Sequence, residues 1–198
     1  TLLNENYEHP AMPDNVEEGI NKGMYLYQSP EQGTAQVQLM GSGSILREAI
    51  FAAEILENDF QIKANVWSIL GINQLHRDAL ITEEWNRLHP KKKQKQSYIE
   101  ELLQDQTGPV IISTDYVNSY PEQIRRLIPN DVTILGTDGF GRSDTRETLR
   151  NFFRVDRYHI VIAALQGLMK DNVVDGDTVE SAIKKFSIDP EEPHPIKR

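Results

Sequence analysis

Two glycine-bearing stretches carry the residue types from which binding loops are made. "TDGFGRSDTRE" (137–147) sets Gly139 and Gly141 on either side of Phe140 and follows them with Arg142 and Ser143. Glycine permits backbone angles that side chains forbid. Arg142 can pair with a carboxylate or phosphate, and Asp138 can orient it. "MGSGSILREA" (40–49) places Ser42, Gly43 and Ser44 just before a helix, whose unpaired N–H groups and positive dipole end favour anions. Each stretch has a plainer reading as a strand-to-helix turn, with Ser42 or Ser44 as the helix cap and Phe140 packed against a neighbouring surface. The dinucleotide fingerprint G-x-G-x-x-G is not met, because Leu46 stands at its third glycine, and there is no Walker lysine.

Other chemistry is thin. "HRD" (76–78) lies in a helical pattern without the rest of the kinase set. The five histidines are scattered, with no pair at the i, i+4 spacing of a helical zinc site. The absence of cysteine excludes disulfides, thiolate metal sites and thiol nucleophiles. A net charge of −9 argues against a general nucleic-acid binder. "HPKKKQKQ" (89–96) is either a solvated loop or a dock for an acidic partner. "STDY" (113–116) ends a strand, where α/β proteins place ligand-binding residues.

The elements that must position these residues follow from periodicity. "MYLYQ" (24–28) and "AQVQLM" (35–40) alternate apolar and polar residues around a polar turn and predict a hairpin. Leu46, Ala49, Ile50, Ala53 and Leu56 recur at helical spacing, giving a helix that ends near Asp59. Strands are expected at 64–70, 109–115 and 131–137, with helices from Asn73 to about Asn86 and over 119–128. The helix after "TDGFGR" should start at Ser143 or Asp144, with Asp144 and Glu147 as a capping box. Another helix begins after Asp156, and a last one at Asp177, with Glu180 completing its box. The alternation implies a three-layer α/β/α fold around a five-stranded mixed sheet with one antiparallel strand. Residues 1–22 read as a linker interrupted by Pro10 and Pro13, 23–188 as the domain, and 189–198 as a flexible, proline-rich tail. "TLLNENY" resembles neither an initiator segment nor a signal peptide, so a piece of a longer, cytoplasmic polypeptide is expected. The longest apolar run, "IVIAAL" (160–165), is too short to span a bilayer.

The motifs "NENYEHPAMP", "EEGINKGMY", "VQLMGSGSILREA", "AAEIL", "EEWNRLHP", "STDYV", "LGTDGFGRSDTRE", "LRNFF" and "AIKKF" run in order from residue 4 to 186. Together they resemble the C-terminal part of the homodimeric-type decarboxylating component of bacterial pyruvate dehydrogenase. "GTDGFGRSD" is similar to an extended Asp-x-Phe-Gly turn of transketolase C-terminal domains. The resemblance implies a transketolase C-terminal fold, with residues 1–22 a remnant of a preceding pyrimidine-binding domain. It also implies an intact homodimer that uses thiamine diphosphate and Mg²⁺ to decarboxylate pyruvate and acetylate lipoyl groups of dihydrolipoyl acetyltransferase. The diphosphate-binding Gly-Asp-Gly motif of such enzymes is not in this sequence. The resemblance therefore transfers no catalytic, cofactor or metal residue, and implies a structural, dimer-supporting role. The alternative is a small-anion or regulatory-ligand module built on Ser42, Gly43, Ser44 and Asp138–Ser143.

Overall fold

A computed structural model describes residues 11–197. Its centre is β2 (Val37–Ser42), every residue of which is buried. Parallel neighbours flank it: β3 (Ala64–Ile69) on one side, and β4 (Val110–Ser113) followed by β5 (Val132–Leu135) on the other. β1 (Met24–Gln28) closes the sheet antiparallel to β3, giving the order β1-β3-β2-β4-β5. Because strand side chains alternate, neighbouring apolar residues serve opposite faces. Leu39, Val66 and Ile111 join one core, and Met40, Trp67 and Ile112 the other. Near-continuous apolar strands are what a parallel sheet covered on both faces requires.

The first face is covered by α2 (Leu46–Phe60), α7 (Arg157–Lys170) and α8 (Gly176–Lys185), through Ala52, Leu56, Val161, Leu165 and Ala182. The second is covered by α3 (Ile72–Leu88), α4 (Tyr98–Leu103) and α5 (Glu122–Arg125), through Leu75, Ile99, Leu103 and Ile124. A short α6 (Arg146–Phe152) leads into α7. The three-layer α/β/α expectation and its single antiparallel pair therefore hold. A buried polar cluster at the start of β2 and β3 is paired: Gln38 Oε1 accepts from Trp67 Nε1 at 2.9 Å and Asn65 Nδ2 at 3.0 Å, while Gln38 Nε2 donates to the Thr107 carbonyl. Gly41 is a contact requirement, since a Cβ there would lie 2.5 Å from the Leu46 Cα.

Several local expectations are corrected. β1 and β2 form no hairpin, because β3 lies between them. A hairpin would have left one edge of the fully buried β3 without hydrogen-bond partners. The stretch read as an interrupted linker contains α1 (Glu17–Lys22), closed by Gly23 in the left-handed region; residues 1–10 lie outside the described residues. The polar passage after the lysine run contains α4, started by a Ser97/Glu100 capping box. α6 is capped by Thr145 rather than Ser143 or Asp144, since the Asp144 carboxylate is spent on the Thr145 N–H. α8 starts at Gly176, capped by Asp175, two residues before the expected Asp177/Glu180 box. At the C-terminal end, Pro195–Lys197 forms a 3-10 turn, and Arg154 donates to the carbonyls of Glu192 and Pro193.

Candidate functional site

The strand order reverses between β2 and β4. The chain leaving β2 enters α2 on one face and moves to β3, whereas the chain leaving β4 enters α5 on the other and moves to β5. Such a switch point opens a crevice at the carboxyl edge of the sheet, where open α/β folds bind ligands. Here the crevice is a cleft of about 360 Å³. Ser44 after β2 and Asp115 after β4 meet across it, the Ser44 hydroxyl donating to Asp115 Oδ2 at 3.4 Å. Thr137, just past β5, ties its hydroxyl to the Asp115 carbonyl at 2.7 Å. The opposite wall is α6 and the turn before it, which bring Arg142, Arg146 and Arg150 to the cleft. Ile45, Leu149, Phe153 and Val155 make its apolar lining.

The two glycine turns thus converge, though not with every role expected of them. Ser42 ends β2, buried, and neither it nor Ser44 caps a helix through its side chain. The Ser44 hydroxyl is turned to Asp115, and α2 is entered through a 3-10 turn at Gly43–Ile45. Gly43 needs its left-handed φ of +57° and faces open space. Asp138 does not orient Arg142; its carboxylate accepts from the Asn118 N–H and Nδ2 at 2.9 and 2.8 Å, fastening the β5 loop to the β4 loop. Gly139 has φ +112° and lies against the Pro195 carbonyl. Gly141 is not in the left-handed region and has open space where a Cβ would stand. Arg142 stacks its guanidinium 4.2 Å from the Phe152 ring centroid. Ser143 is exposed, and Phe140 is 83% exposed rather than packed.

Behind the cleft stands a group that sequence reasoning missed. Glu48, on the core-facing side of α2 and only 3% exposed, accepts from Arg150 Nη1 at 2.8 Å. It also accepts from Arg157 Nε at 2.9 Å, Arg157 Nη2 at 3.1 Å and the Arg157 backbone N–H at 3.0 Å. Burial pulls the Arg150 guanidinium below its usual range; Glu48 opposes this, and the like charges of Arg146, Arg47 and Arg157 add to it. Burial would also lower Arg157, but the hydrogen bonds and charge of Glu48 outweigh it and raise that group. The signal was an acidic residue inside an apolar helical stripe, which calls for a buried cation. Asp156, the α7 cap, is similar. Burial would raise its carboxyl, but hydrogen bonds and charge from His159, helped by Asn151, hold it below the usual carboxylate range. The lysine run is an exposed loop that Asn86 clamps at the Lys95 backbone, with Lys95 Nζ 4.0 Å from the Trp85 ring centroid.

Fold and cleft together define an open, twisted-sheet α/β domain with a crevice at its switch point. Residues 23–156 match the family described as the transketolase-like TK C-terminal domain, and the chain belongs to that family. Transketolase structures from Campylobacter jejuni and Leishmania mexicana share the fold. They superpose with TM-scores of 0.52 and 0.51 at 19% and 20% identity, covering 80% and 77% of this chain and 20% and 19% of theirs. Among curated proteins, the chain is 54% identical to the pyruvate dehydrogenase E1 component of Pseudomonas aeruginosa over 99% of its length. It is 46% identical to that of Escherichia coli K12 over 98%. It spans 22% of the length of each of these relatives.

Proposed function

We propose that this chain is the C-terminal domain of a pyruvate dehydrogenase E1 component, occupying residues 23–188, with 1–22 the link to a preceding pyrimidine-binding domain and 189–198 its tail. The observation that carries this is the similarity along almost the whole chain to one stretch of such proteins. The whole enzyme would be a cytoplasmic homodimer that decarboxylates pyruvate with thiamine diphosphate and Mg²⁺. It would pass the acetyl unit to lipoyl groups of dihydrolipoyl acetyltransferase. Within it, this domain has a structural role, seating against the preceding domains and supporting the dimer. An 83% exposed phenylalanine on a glycine-flanked turn is a natural anchor for such a neighbour.

The described residues do not fit the cofactor by themselves. Mg²⁺ takes oxygen ligands, with carboxylates beside the phosphates. The carboxylate lining the cleft is Asp115, already bonded to Ser44 and facing three arginines whose charge repels a divalent cation. Among the described residues, no three histidine or acidic side chains converge elsewhere. The reaction is therefore assigned to the rest of the polypeptide. Calorimetric titration of this chain with thiamine diphosphate is expected to give no Mg²⁺-dependent binding; tight binding that requires Mg²⁺ would overturn the non-catalytic assignment.

A further inference from the structure

The switch-point cleft has a composition that seating a neighbouring domain does not require. Arg142, Arg146 and Arg150 come to it from one wall, yet the carboxylate that balances the deepest of them, Glu48, lies behind that wall and is shared with Arg157. Burial lowers the Arg150 guanidinium against the pull of Glu48, and of the like charges that add to this, Arg146 is the one that also lines the cleft. Gathering cations on a concave surface costs repulsion, which an anion inside would offset. Opposite stand hydroxyl-competent partners: Asp115, an acceptor at a strand end, and Ser44, whose 3.4 Å bond to it is long and readily exchanged. Between them, Ile45, Leu149, Phe153 and Val155 form an apolar patch that suits a ring. At about 360 Å³, the cleft lies within the range of small-molecule sites. The Ser113 hydroxyl, at the last residue of β4 beside this edge, is buried without a protein partner.

We propose that the cleft is a binding site for a small phosphate monoester bearing hydroxyls and an apolar ring. The guanidiniums of Arg142 and Arg146 take the phosphate, Asp115 and Ser44 take the hydroxyls, and the Ile45–Phe153 side takes the ring. The division follows from chemistry. Planar guanidiniums match phosphate oxygens in bidentate fashion, a strand-end carboxylate accepts from sugar hydroxyls, and apolar walls supply the remaining burial. The site is separate from the turn's seating role, because Phe140 is not among the residues that line the cleft, while Gly139, Gly141 and Arg142 are.

Adenosine 5′-monophosphate carries all three features and serves as the probe, with inorganic phosphate and adenosine as its separated halves. Calorimetry and thermal melting of the chain should show saturable AMP binding below about 10 mM with a rise in Tm, as any ligand selective for the folded state requires. Phosphate and adenosine should each bind at least about tenfold more weakly. Arg142→Ala should weaken AMP by about tenfold or more, the loss of one charge-assisted contact. Its circular dichroism and unliganded Tm should match the parent's, since Arg142 is exposed. Asp115→Asn should lower the preference for AMP over phosphate, since it removes an acceptor for the hydroxyls and a negative charge that repels phosphate. No AMP binding, AMP binding indifferent to Arg142→Ala, or phosphate binding as tightly as AMP would each overturn the assignment.

Discussion

Removing the Glu48 carboxylate should be the costliest single polar change in this domain. Glu48→Ala leaves Arg150 Nη1, Arg157 Nε and Nη2 and the Arg157 backbone N–H without their acceptor. Breaking a buried ion pair from one side costs about 3–5 kcal/mol. Here the lower end applies, because the Arg157 side chain keeps 32% of its exposure and can regain water, while Arg150 keeps 15% and cannot do so well. With a urea m-value of about 2 kcal/mol/M, a loss of about 3 kcal/mol moves the unfolding midpoint down by about 1.5 M at unchanged slope. Urea melts of Glu48→Ala, Arg150→Ala and the double variant measure both size and cause. If Arg150 is held in place by Glu48, its deletion should cost far less once Glu48 is gone, so the effects will not add. A Glu48→Ala loss under about 1 kcal/mol, or strict additivity in the cycle, would refute the claim that this carboxylate binds α2 to α6 and α7.

Two further outcomes test other parts of the structure. The Asp156 carboxyl sits below its unfolded value, so its stabilisation is fully present above about pH 4 and is lost as pH falls through the folded value. The gap in urea midpoint between the parent and Asp156→Asn, which keeps a competent helix cap, should therefore be constant at neutral pH and close toward pH 3; a gap unchanged at low pH would refute it. Phe140→Asp should leave the stability of this chain within about 0.5 kcal/mol, as for other exposed positions, while lowering the Tm of the longer polypeptide proposed above. Equal effects in both would remove Phe140 from the interface.

The layers of the fold were legible because the apolar patterns were long and unambiguous. "PVIIS" reads as a buried strand and Leu46 to Leu56 as one helical stripe, whereas "AQVQLM" reads as half-buried alternation although β2 is buried throughout. Pairing was another matter. Nothing within "MYLYQ" or "AQVQLM" says that a third strand will separate them, since that choice is made by β3, more than twenty residues later. Caps failed where two acceptors competed: Asp144 and Thr145 both precede α6, and the aspartate's bond to its neighbour's N–H hands the cap to threonine. The cleft was half legible. Both glycine turns and the "STDY" strand end were singled out, but only the strand order shows that they share one edge. Arg146 and Arg150, four apart on α6, look in sequence like any solvated helical pair.

The matched family region ends at Asp156, the cap of the helix that completes the first core. That boundary cuts through the physics. Ile160, Val161, Ala164, Leu165 and Leu168 of α7 are buried against α2 and the sheet, so the strands that shape the cleft floor stay covered only while α7 is in place. Arg157, the first residue of α7, shares Glu48 with Arg150 of α6. The arginine wall is therefore held from behind by a residue beyond the matched region. Cleft and core are coupled through one carboxylate: Glu48 anchors the helix that lines the cleft to the helix that closes the core. An ion pair buried at the end of a sheet is a poor source of stability compared with apolar packing. What it does supply here is position, fixing Arg150 and hence α6 at the distance from β2 and β4 that leaves the cleft open.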